Sequence, residues 1–189
     1  DDEEVFPDYL KTIYDETYRC KDIISKLLDF SRRQVPVFGE VDMNALIANV
    51  VKLIGRQKEL KKLSIELNYS PVSVTIYGDV NQLQQVFLNM ILNAIDATAD
   101  GGKIKITTTG VDNYAQIIFE DTGCGIVPED LDKIFEPFFT TKSPGKGTGL
   151  GLSICYGIIE EHKGKISVSS NGIGKGTAFT ISLPIYEKT

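Results

Sequence analysis

Asp121-Thr122-Gly123-Cys124-Gly125-Ile126, then Phe135-Glu136-Pro137-Phe138-Phe139-Thr140-Thr141-Lys142, then Gly145-Lys146-Gly147-Thr148-Gly149-Leu150-Gly151-Leu152: this run, residues 121–152, holds six of the chain's 17 glycines. Glycine is costly in backbone entropy, so such a density marks places where φ must be positive or where the backbone lies against something small and polar. The last four glycines alternate up to Leu152-Ser153-Ile154, where an apolar helical pattern begins and continues to about Glu161. A glycine loop feeding a helix start offers free N–H groups and the positive end of the helix dipole, and both suit an anion such as a phosphate chain. Two familiar phosphate motifs are absent: there is no G-x-x-x-x-G-K-[ST], and no G-x-G-x-x-G follows a predicted strand.

Working backwards, Tyr114 to Glu120 alternates in character like a strand and delivers Asp121 to a turn that Gly123 and Gly125 make tight. A carboxylate fixed at the mouth of a buried strand can accept a hydrogen bond from an amino group such as adenine N6. Taken alone, Asp121-Thr122-Gly123 reads sooner as an Asp-Gly turn closing a surface hairpin.

The preceding helix, about Val80 to Ala99, is the second informative element. Projected at 100° per residue, Leu83, Val86, Phe87, Leu88, Met90, Ile91, Leu92, Ala94 and Ile95 cover most of its circumference, leaving Gln82, Gln85, Asn89, Asn93 and Asp96 in a narrow strip. A buried carboxamide without a partner costs about 1–3 kcal/mol. Asn89 and Asn93, one turn apart, can direct two amide oxygens at one Mg²⁺ or at phosphate-bound water. A strip that merely faced solvent would carry Lys and Glu instead.

Around these pieces the pattern reads as strand, helix and loop in one domain. A helix capped by Asp42 or Asn44 runs to about Leu60, followed by strands over Ser64–Tyr69 and Val72–Tyr77, predicted to be neighbours around Ser70-Pro71. Lys103–Thr109 and Tyr114–Glu120 form a hairpin, Pro128–Phe135 a short helix, and Lys165–Ser170 and Gly176–Leu183 two closing strands. From Glu136 to Thr148 nothing is periodic, which suits a mobile lid whose Phe138 and Phe139 stay docked. Lys142 and Lys146 are its only cations, either able to swing onto a triphosphate or to remain a solvated loop charge. The single histidine, His162, stands at a helix C-terminus ahead of Gly164, a structural position.

The N-terminal part is different. About Asp8 to Arg33 reads as one amphipathic helix whose stripe, Leu10, Ile13, Tyr14, Ile24, Leu27 and Leu28 among it, needs a partner helix. Val35-Pro36-Val37-Phe38-Gly39 breaks it. The division is therefore 1–35 as helix, 36–40 as linker and 41–189 as the main domain.

A net charge of −6 argues against nucleic-acid binding, since no basic excess exists to displace counterions. No apolar run reaches the length of a membrane span, so no direct membrane contact is expected of these residues. The chain opens at Asp1 rather than Met, which fits a piece of a longer protein with a membrane anchor elsewhere. Cys20, Cys124 and Cys155 are odd in number and far apart, as suits a reducing cytosol, and a cytoplasmic location is expected.

In this order the pieces resemble a known family. Asn89-Met90-Ile91-Leu92-Asn93-Ala94, Asp121 to Ile126, Phe135 to Phe139, Gly147 to Leu152 and Gly174-Lys175-Gly176-Thr177-Ala178-Phe179 closely resemble the N, G1, F, G2 and G3 boxes of sensor histidine kinases of the nitrogen-regulation and sporulation type. Leu27 to Arg32 resembles the end of that family's second dimerisation helix. The resemblance implies an α+β fold, a two-layer α/β sandwich of the Bergerat type preceded by one long helix, with ATP held between the N-box helix and the lid. It implies that Asn93 ligates Mg²⁺ with Asn89 near the phosphates. It further implies that Asp121 binds adenine within a pocket shaped by Gly123, Gly125, Ile126 and Thr177. Lys142, Lys146, Gly147, Thr148, Gly149, Leu150 and Gly151 would then wrap the phosphates. Asp96 stands where other subfamilies carry a basic residue. The implied partners are ATP, a phosphoacceptor histidine on a dimerisation domain of the same or a partner subunit, and a response regulator, with a homodimer in the full-length protein. The phosphoacceptor histidine itself is missing from these residues, so the chain alone is not expected to autophosphorylate. Two other functions fit parts of the pattern: an ATPase of the gyrase, MutL and heat-shock-90 type, which places a general-base Glu where Asn89 stands, and a non-catalytic nucleotide-responsive docking module.

Overall fold

The computed structural model describes residues 35–55, 63–143 and 147–186, together with Leu10, Tyr14 and Thr17, which are helical. The rest of the expected N-terminal helix lies outside the described residues, as does Lys146.

Five strands form the main sheet. β2 (Ser64–Asn68), β4 (Lys103–Val111), β5 (Tyr114–Asp121), β7 (Thr177–Pro184) and β6 (Lys165–Ser169) lie side by side in that order. The β2–β4 pair is parallel, and the other three pairs are antiparallel. Alternate residues bury one face of the sheet: Ile104, Ile106 and Thr108 on β4, Ala115, Ile117 and Phe119 on β5, and Phe179, Ile181 and Leu183 on β7. The intervening positions carry the ion pairs Lys105–Glu120 at 2.9 Å and Lys103–Glu66 at 2.7 Å. One covered face and one charged face make two layers.

The covering layer is three helices, α1 (Met43–Ile54), α2 (Val80–Ala97) and α3 (Gly151–Glu161). α2 is central. Its Leu83, Val86, Phe87, Met90 and Ile91 are buried, and Phe87 meets Phe119 of the sheet with ring centroids 5.8 Å apart. Asp79 caps α2, accepting the N–H groups of Asn81 at 2.8 Å and Gln82 at 3.0 Å. Asp42 caps α1 through Ala45 N–H at 2.9 Å, whereas Asn44 turns inward and accepts the Thr108 hydroxyl at 2.6 Å.

Several expectations need correction. The strands after α1 are not neighbours: β2 joins the main sheet, while β3 (Thr75–Asp79) pairs with β1 (Phe38–Asp42) in a separate two-stranded sheet. Between them Thr108 Oγ1 accepts the Ser70 N–H at 2.9 Å, and Val74 O accepts Met43 N–H at 3.0 Å, turning the chain off the sheet edge after Pro71. β1 also takes up Phe38, Gly39 and Glu40, which the sequence places in a linker. α1 ends at Ile54 with Gly55 as its cap, and the stretch expected to carry the helix on to about Leu60, residues 56–60, lies outside the described residues. The helix expected over Pro128–Phe135 is a 3-10 turn at Pro128–Asp130 followed by turns. After α3 the left-handed residue is Lys163, at φ 56°, and not Gly164. Gly164 is required for a different reason, since a Cβ there would come within 2.6 Å of the Ser182 carbonyl oxygen.

Candidate functional site

The glycine loops and the asparagine strip meet on one side of α2. At the first turn of α3, the position a Gly151 Cβ would occupy is 3.8 Å from Asn89 Oδ1, so the start of α3 sits directly against the Asn89 carboxamide. No side chain caps this helix start, and Leu150 just before it is buried. Free N–H groups of a helix N-terminus therefore open beside an amide side chain. One turn along α2 comes Asn93, half-buried, and then exposed Asp96, whose Oδ2 holds Lys142 Nζ of the lid at 2.6 Å. Asn93 thus lies on α2 between a residue touching the second glycine loop and one touching the lid.

The first glycine loop is fastened to the C-terminal end of the same helix. Cys124 N–H donates to Ala97 O at 2.9 Å, and a Cβ on Gly123 would come within 2.5 Å of that oxygen. Asp121 Oδ1 accepts Gly123 N–H at 2.8 Å. Burial pushes the Asp121 carboxyl above its ordinary value, opposed by hydrogen bonds from the backbone N–H groups of Gly123 and Thr177. A half-buried carboxylate held at the end of β5 is set to receive an external donor. Buried Thr177 is the register partner of Asp121, and Gly176, at φ 71°, packs on the Asp121 carbonyl where any side chain would overlap it.

Residues 170–176 complete this wall. Gly174 N–H donates to Cys124 O at 2.7 Å, Ile126 N–H to Ser170 Oγ at 3.0 Å, and Ser170 Oγ in turn to Gly176 O at 2.7 Å. Gly125, at φ 70°, sits against the Gly172 carbonyl. Ser170 and the carbonyls of Ala97 and Gly172 are site-building groups that the sequence does not announce, because a serine or a carbonyl in a loop carries no pattern. In the lid, Phe138 N–H donates to Gly149 O at 2.9 Å, and Gly149, at φ 67°, lies over the Phe138 backbone. Gly147 and Thr148 are half-buried, with Gly147 packed on Thr140 and Lys142.

Among the described residues no group of three His, Cys, Asp or Glu side chains is placed to hold a metal ion. The donor set instead fits Mg²⁺ that arrives on a polyphosphate, since that ion keeps phosphate and water oxygens and needs only one or two protein oxygens. His162 takes no part: its Nε2 accepts Asp79 N–H at 2.9 Å, its Nδ1 is 2.7 Å from Ile158 O, and its ring stacks on Phe38. No helix of the described residues is long and apolar enough to cross a membrane.

Residues 78–187 match the family model described as histidine kinase-, DNA gyrase B-, and HSP90-like ATPase. The chain belongs to this ATPase family. Within it, the chain is 40% identical over 177 residues to sporulation kinase A and 37% identical over 180 residues to sporulation kinase E, both of Bacillus subtilis strain 168. These alignments cover 93% and 95% of the chain but only 29% and 24% of the two kinases, so the chain spans about a quarter of the length of such relatives. Among solved members of the family, histidine kinase ThkA in complex with the response regulator protein TrrA superposes with a TM-score of 0.77 at 32% identity, covering 98% of this chain and 53% of that one. Full-length ShkA in complex with AMPPNP gives a TM-score of 0.78 at 25% identity, covering 97% and 39% respectively. The family's mixed sheet with helices packed against it is the architecture found here.

Proposed function

We propose that this chain is the ATP-binding catalytic module of a two-component sensor histidine kinase, binding Mg-ATP between α2 and the lid and directing its γ-phosphate to a histidine outside these residues. The observation that carries this is the contact of Asn89 with the start of α3 at Gly151. It brings a carboxamide and a helix N-terminus to one point, with Asn93 one turn further along.

The roles divide by position. Asp121, with Gly123, Gly125, Ile126 and Thr177 around it, receives the adenine amino group. Gly147, Thr148, Gly149, Leu150 and Gly151 supply backbone N–H groups to the phosphates, and Asn93 supplies the protein oxygen for Mg²⁺. Bound Mg²⁺ neutralises charge building on the transferred group, and the protein's contribution is positioning and electrostatic stabilisation. The acceptor must be a histidine supplied from elsewhere, because both ring nitrogens of the chain's one histidine are engaged in the core. As the resemblance to sensor histidine kinases implies, that histidine would sit on a dimerisation domain and pass its phosphoryl group to a response regulator, and the complex of ThkA with the response regulator TrrA supports a partner of that kind. The ShkA complex with AMPPNP supports the nucleotide assignment in the same way.

A hydrolase of the gyrase kind is disfavoured at one atom. The carboxamide of Asn89 cannot take a proton from an attacking water. Titration of ATP with and without Mg²⁺ on the wild type and on Asn93→Ala tests the proposal. The expected result is a Mg²⁺-dependent gain in affinity that Asn93→Ala removes; a wild type that binds no ATP would leave only a docking role.

A further inference from the structure

We propose that Cys155 is a positioning residue for Asn89: its buried sulfur takes the amide N–H of that side chain and thereby turns the amide oxygen toward the nucleotide. This rests on the site assignment above and adds to it a residue on α3 that touches neither phosphate nor metal.

The geometry is a short relay between two helices. Asn89 Nδ2 lies 3.6 Å from Cys155 Sγ, within reach of an N–H to sulfur hydrogen bond. The thiol has its own acceptor on α2, since Sγ is 4.0 Å from the carbonyl oxygen of Val86, three residues before Asn89. A thiol has one proton. With that proton directed at Val86 O, the sulfur offers only lone pairs to Asn89, so the NH₂ end of the carboxamide is the end that must face it. Cys155 is fully buried, and burial pushes its thiol up to about 12, more than the hydrogen bond from Asn89 lowers it, so the proton stays in place.

A carboxamide is nearly symmetric in shape, and nothing but its hydrogen-bond partners decides which end carries oxygen. On Asn89 the consequence is chemical, because the whole carboxamide stands broadside to the Gly151 helix start, with Oδ1 3.8 Å and Nδ2 3.9 Å from a Cβ built there, and of its two ends only the oxygen can accept from water on Mg²⁺ or ligate the ion itself. Turned the other way, the same side chain would present two N–H groups to a cation. An apolar side chain of similar volume at 155 would also fill the core but leave this choice unmade. That separates a merely apolar role for Cys155 from a positioning one.

Cys155→Ala removes the sulfur while keeping a good helix residue, and Cys155→Ser restores both a donor and an acceptor. The first readout needs no nucleotide: in ¹⁵N-labelled protein, the side-chain amide resonances of Asn89, assigned by their loss in Asn89→Asp, are expected to shift and exchange faster in Cys155→Ala and to return toward wild type in Cys155→Ser. The second readout is the Mg²⁺-dependent gain in ATP affinity, expected to fall about three- to tenfold in the alanine variant, as loss of one weak hydrogen bond implies, and to recover in the serine variant. Affinity for ADP without Mg²⁺ should hold in both variants. Unchanged amide resonances in Cys155→Ala overturn the proposal, and so does an equal loss of metal-free ADP affinity, which would mark general damage to the core. A wild type that binds no ATP would sink the site assignment instead, leaving the amide resonances to decide the role of Cys155.

Discussion

Lys142 Nζ lies 2.6 Å from Asp96 Oδ2, so the lid is pinned to α2 by an ion pair spanning 46 residues of sequence. Both side chains are substantially exposed, and such a pair contributes at most about 1 kcal/mol to stability. Its larger effect is on charge. A carboxylate at this rim opposes a triphosphate and occupies the cation that would meet it. Asp96→Asn should therefore leave thermal stability nearly unchanged while raising ATP affinity about threefold at low ionic strength, an effect that fades as salt shortens the screening length. Weaker binding at low salt would mean instead that Asp96 delivers Lys142 to the nucleotide.

Asp121 separates stability from function in the opposite sense. Its folded pKa is raised, so the ionised form costs the folded state at every pH above the unfolded value. Asp121→Asn keeps the acceptor for Gly123 N–H and removes the charge. Chemical denaturation at neutral pH should show a variant no less stable than wild type, whereas calorimetry should find its affinity for ATP reduced by at least about tenfold, since the bond to adenine is charge-assisted. A clear loss of stability would show that the carboxylate itself holds the loop.

Two glycines in one loop should respond differently. Alanine at Gly149, where φ is 67° and a Cβ would stand 2.5 Å from the Phe138 carbonyl oxygen, must force the lid backbone apart. Alanine at Gly151 meets only ordinary contact with Asn89 and improves helix propensity, by up to about 1 kcal/mol. Gly151→Ala is thus expected to melt no lower than wild type yet to bind ATP more weakly, because its methyl takes phosphate space. Should Gly151→Ala bind normally, the phosphates do not reach this turn.

Acid should undo the molecule through its helix caps. Burial alone would raise the Asp79 carboxyl, but N–H groups from Gln82, Val37 and Asn81, aided by His162, together hold it below its ordinary value. The Asp42 carboxyl is likewise held down, chiefly by the Ser73 hydroxyl and then by Ala45 N–H. A depressed folded pKa supplies stability that is present above the unfolded value, near 3.8, and is lost as pH falls through the folded one. Urea midpoints measured from pH 7 down to 3 should drop most steeply below about pH 4, and Asp79→Asn should flatten that drop. A curve unchanged by that substitution would place the acid sensitivity in other carboxylates.

Much of this was legible in the residues, for reasons that differ by element. The α2 strip stood out because amides replace charges at helical spacing, and the structure sets Asn89 against the second glycine loop and Asp96 against the lid. The β4–β5 hairpin was legible from its two alternating stretches, but β4 runs two residues beyond Thr109 to Val111, and the turn is Asp112 and Asn113 alone, both at positive φ as a two-residue turn demands. What could not be read was pairing. Alternation in Ser64–Asn68 and Thr75–Asp79 reports which side of a strand is covered and says nothing of its neighbour, so the parallel partner of β2 and the separate β1–β3 sheet went unseen. Cys155 was hidden for a related reason: within an apolar helix pattern a thiol looks like any small core residue.

Asp79 accepts Val37 N–H at 2.7 Å with the same carboxylate group that caps α2. The strand entering the domain and the helix bearing both asparagines are therefore harnessed at a single point. A pull along the backbone ahead of Phe38 therefore bears directly on the carboxylate that seats the first turn of that helix.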